Sequence, residues 1–173
     1  LMLPEKLGKY TITEIGSNVF RLGAYNGSAV EEIIIPASVT KIADEAFCYI
    51  PELKKVTLKG PAKLGKKSFW YCYNLEEVNL NDNITEIPDE AFELCYALTK
   101  IHLPANLKTI GEAAFKNTGL QEVVFPESVR SIGKDAFRIV NNQFTFGLTY
   151  IKLNQGLEEV GDGAFSGVTA NQI

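Results

Sequence analysis

The chain repeats one short pattern along most of its length. A phenylalanine, in most copies preceded by alanine or serine, recurs at Phe20, Phe47, Phe69, Phe92, Phe115, Phe137 and Phe165. From Phe47 to Phe137 the spacing is 22 or 23 residues. A unit this short cannot bury its own apolar face, so successive units must stack on one another. The repeat therefore predicts a solenoid.

Two apolar patterns flank the phenylalanines. A triplet after each of the first six is typical of a strand with one buried face. The triplets are Val30/Ile33/Ile35, Leu53/Val56/Leu58, Leu75/Val78/Leu80, Leu98/Ile101/Leu103, Leu120/Val123/Phe125 and Leu148/Ile151/Leu153. A pair spaced by three stands before most phenylalanines and predicts a second, shorter extended piece: Ile12/Ile15, Val39/Ile42, Ile84/Ile87, Leu107/Ile110, Val129/Ile132 and Leu157/Val160.

The residues just before each phenylalanine, such as "DEAF" at 44–47 and "EAAF" at 112–115, predict one or two helical turns. Aspartates near the starts of these turns would act as helix caps: Asp44, Asp89, Asp135 and Asp162. Glycines would let the chain turn after the second extended piece: Gly16, Gly111, Gly133 and Gly161. The expected fold class is an α/β repeat with one parallel sheet, short helical turns and about 22–23 residues per repeat.

The combined pattern "L-x-x-V-x-L-P-x-x-L-x-x-I-G-x-x-A-F" resembles the BspA-like class of leucine-rich repeats, found in bacterial surface antigens. The resemblance covers nearly the whole chain in six to seven copies. It implies a leucine-rich-repeat solenoid. It also implies a cell-surface or secreted location and adhesin-like binding of a host matrix or surface protein.

Residues 1–173 are expected to form a single solenoid domain. At the start, "LMLP" aligns with "IHLP" at 101–104, and at the end "ANQI" aligns with "LQEV" at 120–123. Because neither end resembles the polar cap that a solenoid needs, we expect the chain to be a fragment of a longer protein.

Charge and composition argue against several functions. Seventeen basic and 21 acidic residues are interspersed, for a formal charge of -4. We therefore expect neither nucleic acid nor an anionic membrane as a partner. No apolar stretch approaches the roughly 20 residues that cross a bilayer, and the N-terminal sequence lacks the regions of a signal peptide. Three cysteines and one histidine without metal-ligand spacing predict no cofactor and no disulfide framework.

The residues between the buried strand positions are expected to line an open sheet face. One column reads Glu32, Lys55, Glu77, Lys100, Glu122 and Tyr150, and the next reads Ile34, Thr57, Asn79, His102, Val124 and Lys152. The alternating charges predict either a ladder that fixes register or a charged docking surface. His102 has no nucleophile or carboxylate among its expected neighbours, so we interpret it as exposed or partner-contacting.

A second candidate site is the aromatic stretch "FWYCYN" at 69–74, which contains Trp70, Tyr71 and Tyr73. Tyr49 and Tyr71 share one offset from their phenylalanines, and Tyr73 and Tyr96 share another, so each pair should form a row. Clustered Trp and Tyr side chains are typical of partner sites. The alternative is that these rings wedge between coils.

Two long connections, 21–30 and 138–148, break the repeat. Insertions in repeat proteins often form surface loops that carry binding specificity. Phe144 and Phe146 in the second connection would either tuck against the core or form an adhesive tip.

Together these features predict a non-enzymatic recognition scaffold for a protein or a glycan. The alternative is a structural spacer with no ligand of its own. An enzyme would need convergent acid, base or nucleophile groups, which the sequence does not offer.

Overall fold

The computed structural model describes residues 1–20, 30–140 and 147–169. The two long connections lie largely outside these residues. The hypotheses about those connections as binding loops, and about Phe144 and Phe146, therefore fall outside the described part of the chain.

The described residues form thirteen short strands. They are β1 (Lys6–Leu7), β2 (Tyr10–Thr11), β3 (Glu14–Ile15), β4 (Glu32–Ile35), β5 (Lys41–Ile42), β6 (Lys55–Leu58), β7 (Glu77–Asn79), β8 (Glu86–Ile87), β9 (Thr109–Ile110), β10 (Glu122–Val124), β11 (Ser131–Ile132), β12 (Tyr150–Lys152) and β13 (Glu159–Val160). β1 and β2 pair antiparallel, and the other paired strands are parallel.

Five of the six predicted triplets form the first strand column, which consists of β4, β6, β7, β10 and β12. Its pairing is in register from coil to coil, as in Glu32 opposite Lys55 and Lys55 opposite Glu77. Alternation places Val56 and Leu58 in the core. Between β7 and β10, residues 99–104 form no strand, so Lys100 and His102 do not continue the ladder.

The apolar pairs form a second strand column, which consists of β3, β5, β8, β9, β11 and β13. Its strands are also parallel and in register, with Ile110 opposite both Ile87 and Ile132. The prediction of one parallel sheet is therefore wrong, since the two extended pieces of each coil stack into separate parallel sheets.

The predicted helical turns are also wrong, because the described residues contain no helix. The residue two before each phenylalanine has left-handed backbone, for example Glu45 with φ +57° and Lys67 with φ +56°. With this backbone, the N–H groups of that residue and of the phenylalanine donate to the next coil, whereas in a helix they would donate along the helix axis. The N–H of Phe47 donates to the carbonyl of Ser68 (2.9 Å), and that of Phe69 donates to the carbonyl of Ala91 (2.9 Å).

The predicted helix caps consequently have another role. Asp44 Oδ1 accepts a hydrogen bond from the N–H of Lys66 (2.8 Å), one coil further along the chain. Asp89 Oδ1 accepts from the N–H of Glu112 (3.0 Å) in the same way. These carboxylates tie neighbouring coils together, where a cap would bind the first turn of its own helix.

The glycine that follows strand β11 of the second strand column allows two coils to pack closely. Gly133 lacks left-handed backbone, but a Cβ added there would lie 2.6 Å from backbone atoms of Gly111 and Glu112. Only a residue without a side chain permits this approach of two coils. The prediction that these glycines turn the chain is replaced at this position by a packing requirement.

The core is built on stacked phenylalanines. Neighbouring rings lie 5.1–5.5 Å apart between centroids from Phe20 through to Phe165. The rings from Phe47 to Phe137 are fully or almost fully buried. The recurrent phenylalanine thus fills equivalent positions in successive coils, as the repeat predicts.

Candidate functional site

Five aromatic side chains gather on the surface just after the phenylalanine ladder. We call them the tyrosine–tryptophan patch: Tyr49, Trp70, Tyr71, Tyr73 and Tyr96. They come from three successive coils and follow Phe47, Phe69 and Phe92 by one, two or four residues. Tyr49 and Tyr71 have left-handed backbone, with φ +55° and +58°, and their N–H groups donate to the next coil. The same turn that buries each phenylalanine therefore places its followers at the surface.

Tyr71 is the centre of the patch. Its ring stacks on that of Tyr49, with centroids 5.3 Å apart and an interplanar angle of 11°. It meets Tyr73 at 5.6 Å and 63°, and Tyr96 at 6.4 Å and 83°. Trp70 lies against it at 5.4 Å and 44°. The predicted row of Tyr49 and Tyr71 is confirmed by this stacking.

An open cavity of about 500 Å³ lies beside these rings. Its lining residues are Tyr71, Tyr73, Asn74, Tyr96 and Ala97. Asn74 is held at the rim because its Nδ2 donates to the carbonyl of Pro51 (2.8 Å). Tyr73 and Tyr96, which share an offset in the repeat, thus line the same opening.

Trp70 is fixed by a charged neighbour. Its Nε1 donates to Glu93 Oε2 at 3.1 Å, and Lys116 Nζ pairs with Glu93 Oε1 at 2.9 Å. Glu93 is only 8% exposed, so this charged group is buried with partners on both oxygens. Trp70 itself is half-buried, and its ring is held in one orientation at the edge of the patch.

Acidic groups shape the electrostatics of this region. Burial raises the pKa of Glu90, and its hydrogen bond with Glu93 raises it further, while Lys67 opposes both effects from 3.2 Å. Burial also raises the pKa of Tyr96, with smaller contributions from Tyr71 and Glu93. Negative charge is therefore disfavoured at the Tyr96 hydroxyl.

The five aromatic side chains of the patch lie between full exposure and full burial. Tyr49 is 38% exposed, and the other four members of the patch are half-buried. The rings contact one another across coils while each keeps some accessible surface. Their role in binding a partner stays a prediction.

The other predicted site residues lie elsewhere. Lys55 pairs with Glu77 at 3.0 Å on the first strand column, and Tyr150 stands opposite Glu122 there. Lys100 and His102 are exposed on the stretch that forms no strand. None of these four lines the opening beside Tyr71.

His102 borders a separate open cavity of about 400 Å³. Glu122 and Val124 line the same cavity. The sequence missed Glu122 as a neighbour because it assumed a regular strand through His102. Among the described residues that line this cavity there is no Ser, Thr, Cys or Lys side chain.

A further opening of about 570 Å³ was not anticipated from the sequence. Lys41, Lys63 and Lys66 line it together with Asp44 and Glu86. Two of the lysines have carboxylate partners, since Lys41 pairs with Glu14 at 3.3 Å and Lys66 with Asp89 at 2.7 Å. In the sequence, only the spacing of these lysines pointed to the opening. That spacing follows the repeat, so it did not stand out as a separate motif.

The remaining reactive groups offer little chemistry. Burial raises the pKa of the Cys72 thiol to about 12 and that of Cys95 well above its usual value. Both thiols donate to backbone carbonyls. Across residues 1–20, 30–140 and 147–169, no group of three or more His, Cys, Asp or Glu side chains is arranged to hold a metal. Within the same residues, no helix has the length and apolarity to cross a membrane.

Comparison with known proteins identifies the repeat. A model of the BspA-type leucine-rich repeat region matches residues 13–144 in six copies. No curated protein matches the sequence.

Solved structures of bacterial repeat proteins share the fold. A leucine-rich repeat protein of T. pallidum is 25% identical with a TM-score of 0.62, over 76% of this chain and 73% of that one. A leucine-rich cell surface protein of Faecalibacterium prausnitzii A2-165 is 26% identical with a TM-score of 0.56. That match covers 86% of this chain and 46% of the other.

Proposed function

This chain belongs to the BspA-type leucine-rich repeat family, and on that premise we propose that it is a non-catalytic recognition scaffold that binds a protein partner at a cell surface or outside the cell. The observation that carries the proposal is the tyrosine–tryptophan patch. Five aromatic side chains from three coils meet beside one open cavity.

Aromatic rings of this kind suit protein recognition. Tyr and Trp bury a large area while fixing few torsions, so they are enriched among residues that dominate binding energy. Here their orientations are already set by ring contacts and by the hydrogen bond from Trp70 to Glu93. Such preorganisation lowers the entropic cost of binding.

The location belongs to the same proposal. One structural neighbour is itself described as a cell surface protein, and the family resemblance implies host matrix or surface proteins as partners. The protein's net charge of -4, with both signs interspersed, favours a partner other than nucleic acid.

A structural spacer is the second candidate function. Ion pairs between adjacent coils favour it, because they neutralise the exposed faces: Lys41 with Glu14, Lys54 with Glu31 and Lys55 with Glu77. A spacer would need nothing more than stacked coils and a soluble surface. It would bind no ligand through Tyr73 or Tyr96.

The test compares two double variants on an array of extracellular matrix proteins and glycans. Tyr73→Ala/Tyr96→Ala removes two rings that line the cavity. Val124→Ala/Tyr150→Ala is the control, since these two apolar side chains are exposed on the first strand column. Circular dichroism melts verify that both variants fold.

We expect the wild type and the control to bind at least one protein, and the Tyr73→Ala/Tyr96→Ala variant to lose that binding by tenfold or more. This loss corresponds to removing about 1.4 kcal/mol. A wild type that binds nothing on the array favours the spacer. Binding that survives in the patch variant, or binding of glycans alone, contradicts the proposed protein-binding role of the patch.

A further inference from the structure

We propose that the cavity beside Tyr71 receives an arginine side chain of the protein partner, whose guanidinium packs against the rings of Tyr71, Tyr73 and Tyr96. This inference rests on the proposed function and names the chemistry that the patch recognises. It follows from the arrangement of the rings, from the charge of the lining and from the size of the opening.

The rings are arranged as walls around the opening. The planes of Tyr73 and Tyr96 are inclined to that of Tyr71 by 63° and 83°. The three rings that line the opening therefore face in different directions. The negative face of an aromatic ring attracts a cation within about 6 Å of the ring centroid.

The lining leaves a cation without competition. All five lining residues are uncharged, so no lysine or arginine within the described ranges lines the opening. Glu90 and Glu93 lie on the same turn, and Glu93 is the hydrogen-bond partner of Trp70. Each of the two carboxylates is paired with a lysine. Burial is the largest cause of the raised pKa of Tyr96, and Tyr71 and Glu93 add to it. Of these three causes, only the carboxylate of Glu93 has the sign that favours an incoming positive charge.

The size and the polar atoms of the opening favour arginine over lysine. A cavity of about 500 Å³ has room for a flat guanidinium and its methylene stem. Arginine stacks on aromatic faces and carries five N–H donors. The tyrosines and Asn74 among the lining residues carry oxygen atoms that can accept hydrogen bonds from such donors. Lysine would present a compact, strongly hydrated charge that uses little of this surface.

The experiment uses two probes that differ in charge and in the hydrogen-bond donors that accompany it. N-acetyl-arginine amide and N-acetyl-citrulline amide have closely similar shapes, and the second replaces the guanidinium with a neutral ureido group. Each is titrated onto the full 173-residue chain carrying isotope-labelled tyrosine rings, followed by NMR. Tyr10 and Tyr150, which are exposed outside the patch, serve as internal controls.

We expect the arginine probe to shift the Tyr71, Tyr73 and Tyr96 resonances and to bind about fivefold or more tightly than citrulline, the ratio that one cation–π contact supplies. The Tyr96→Phe variant keeps a ring at this position and should keep the preference. The Tyr96→Leu variant should lose most of it. Unchanged melting temperatures show that the leucine variant remains folded.

Equal affinities for the two probes, or shifts at Tyr10 or Tyr150 in place of the patch, would overturn the inference. Absence of any binding by the arginine probe would overturn it as well. These failures are distinguishable from failure of the proposed function. Suppose that a protein found on the array still binds through Tyr73 and Tyr96 after its arginines are chemically blocked. That result would refute the arginine inference and leave the proposed recognition role standing.

Discussion

The rings of Phe69 and Phe92 lie parallel to within 1°, with their centroids 5.5 Å apart. They belong to adjacent coils, and Phe115 continues the stack from Phe92 at 5.4 Å. Each central phenylalanine is therefore packed between rings of the two neighbouring coils. The stability of the solenoid should depend most on the rings that have a neighbour on both sides.

Replacing Phe92 with alanine should reduce the free energy of unfolding by about 3–5 kcal/mol, because Phe92 is fully buried and its removal leaves a cavity between two rings. Urea unfolding followed by circular dichroism measures the loss. Phe165→Ala is the matched control, since Phe165 is only half-buried and should cost clearly less. Equal losses in the two variants would show that the stacked rings do not carry the core.

The repeat in the sequence predicted much of this arrangement. The spacing of Phe47, Phe69 and Phe92 correctly predicted stacked coils, and the triplets correctly predicted strands such as β6 with Val56 and Leu58 inside. The segment before Phe47 was misread as helical because "DEAF" suits a helix by composition. The N–H groups of Glu45 and Phe47 bond to the next coil, a long-range constraint that local helix propensity does not contain.

Gly133→Ala should destabilise the protein by about 1–3 kcal/mol, since the added methyl group would overlap backbone atoms of the preceding coil. Gly16→Ala is a matched control, because Gly16 has the same position in the repeat and the nearest atom to an added Cβ is a Val19 methyl group 3.5 Å away. We expect the control to stay within about 0.5 kcal/mol of the wild type in urea unfolding. Similar effects of the two substitutions would contradict the close approach of coils at Gly133.

Glu45→Gly should stabilise the protein by about 0.5–1 kcal/mol. A left-handed conformation at a non-glycine residue costs about 1–2 kcal/mol, and the greater freedom of glycine in the unfolded chain offsets part of the gain. Gly163 already occupies the equivalent position, two residues before Phe165. Glu112→Gly is the control, because Glu112 has no left-handed backbone and should lose stability in the same thermal melts. Destabilisation by Glu45→Gly would mean that its side chain has a role beyond the turn.

The ion pair of Asp89 and Lys66 should make stability depend on acid pH. The hydrogen bond from Lys66 lowers the pKa of Asp89, and the N–H of Glu112 contributes in the same direction. Because the folded-state pKa is depressed, this contribution is present above the unfolded pKa of about 3.9 and is lost as the pH falls through the folded-state value.

The Asp89→Asn variant keeps an oxygen acceptor for Glu112 but removes the charge, so its stability deficit at neutral pH should shrink as the pH is lowered through this window. Urea unfolding at a series of pH values measures the difference. Combining Asp89→Asn with Lys66→Met should cost less than the sum of the two single changes, because both remove one interaction. A deficit that is constant from neutral to acid pH would show that the ion pair contributes nothing to stability.

The candidate site was less predictable than the fold. Shared offsets in the repeat brought Tyr49 to Tyr71, as expected. The hydrogen bond between Trp70 and Glu93 was not foreseen, although both directly follow the phenylalanine of their coil, because the residue type at this position changes from coil to coil. The expected strand column through Lys100 and His102 is wrong. The sequence there keeps the apolar pattern of a strand, but the residues form no strand.

The most direct test is hydroxyl-radical footprinting of the protein alone and with the matrix protein that it binds on the array. Mass spectrometry then measures oxidation at each tyrosine and at Trp70, the only tryptophan. We predict that binding protects Trp70, Tyr71, Tyr73 and Tyr96 while oxidation of Tyr10 and Tyr150 stays unchanged. Protection of Tyr150 on the first strand column, with the patch still fully oxidised, would contradict the patch as the recognition surface.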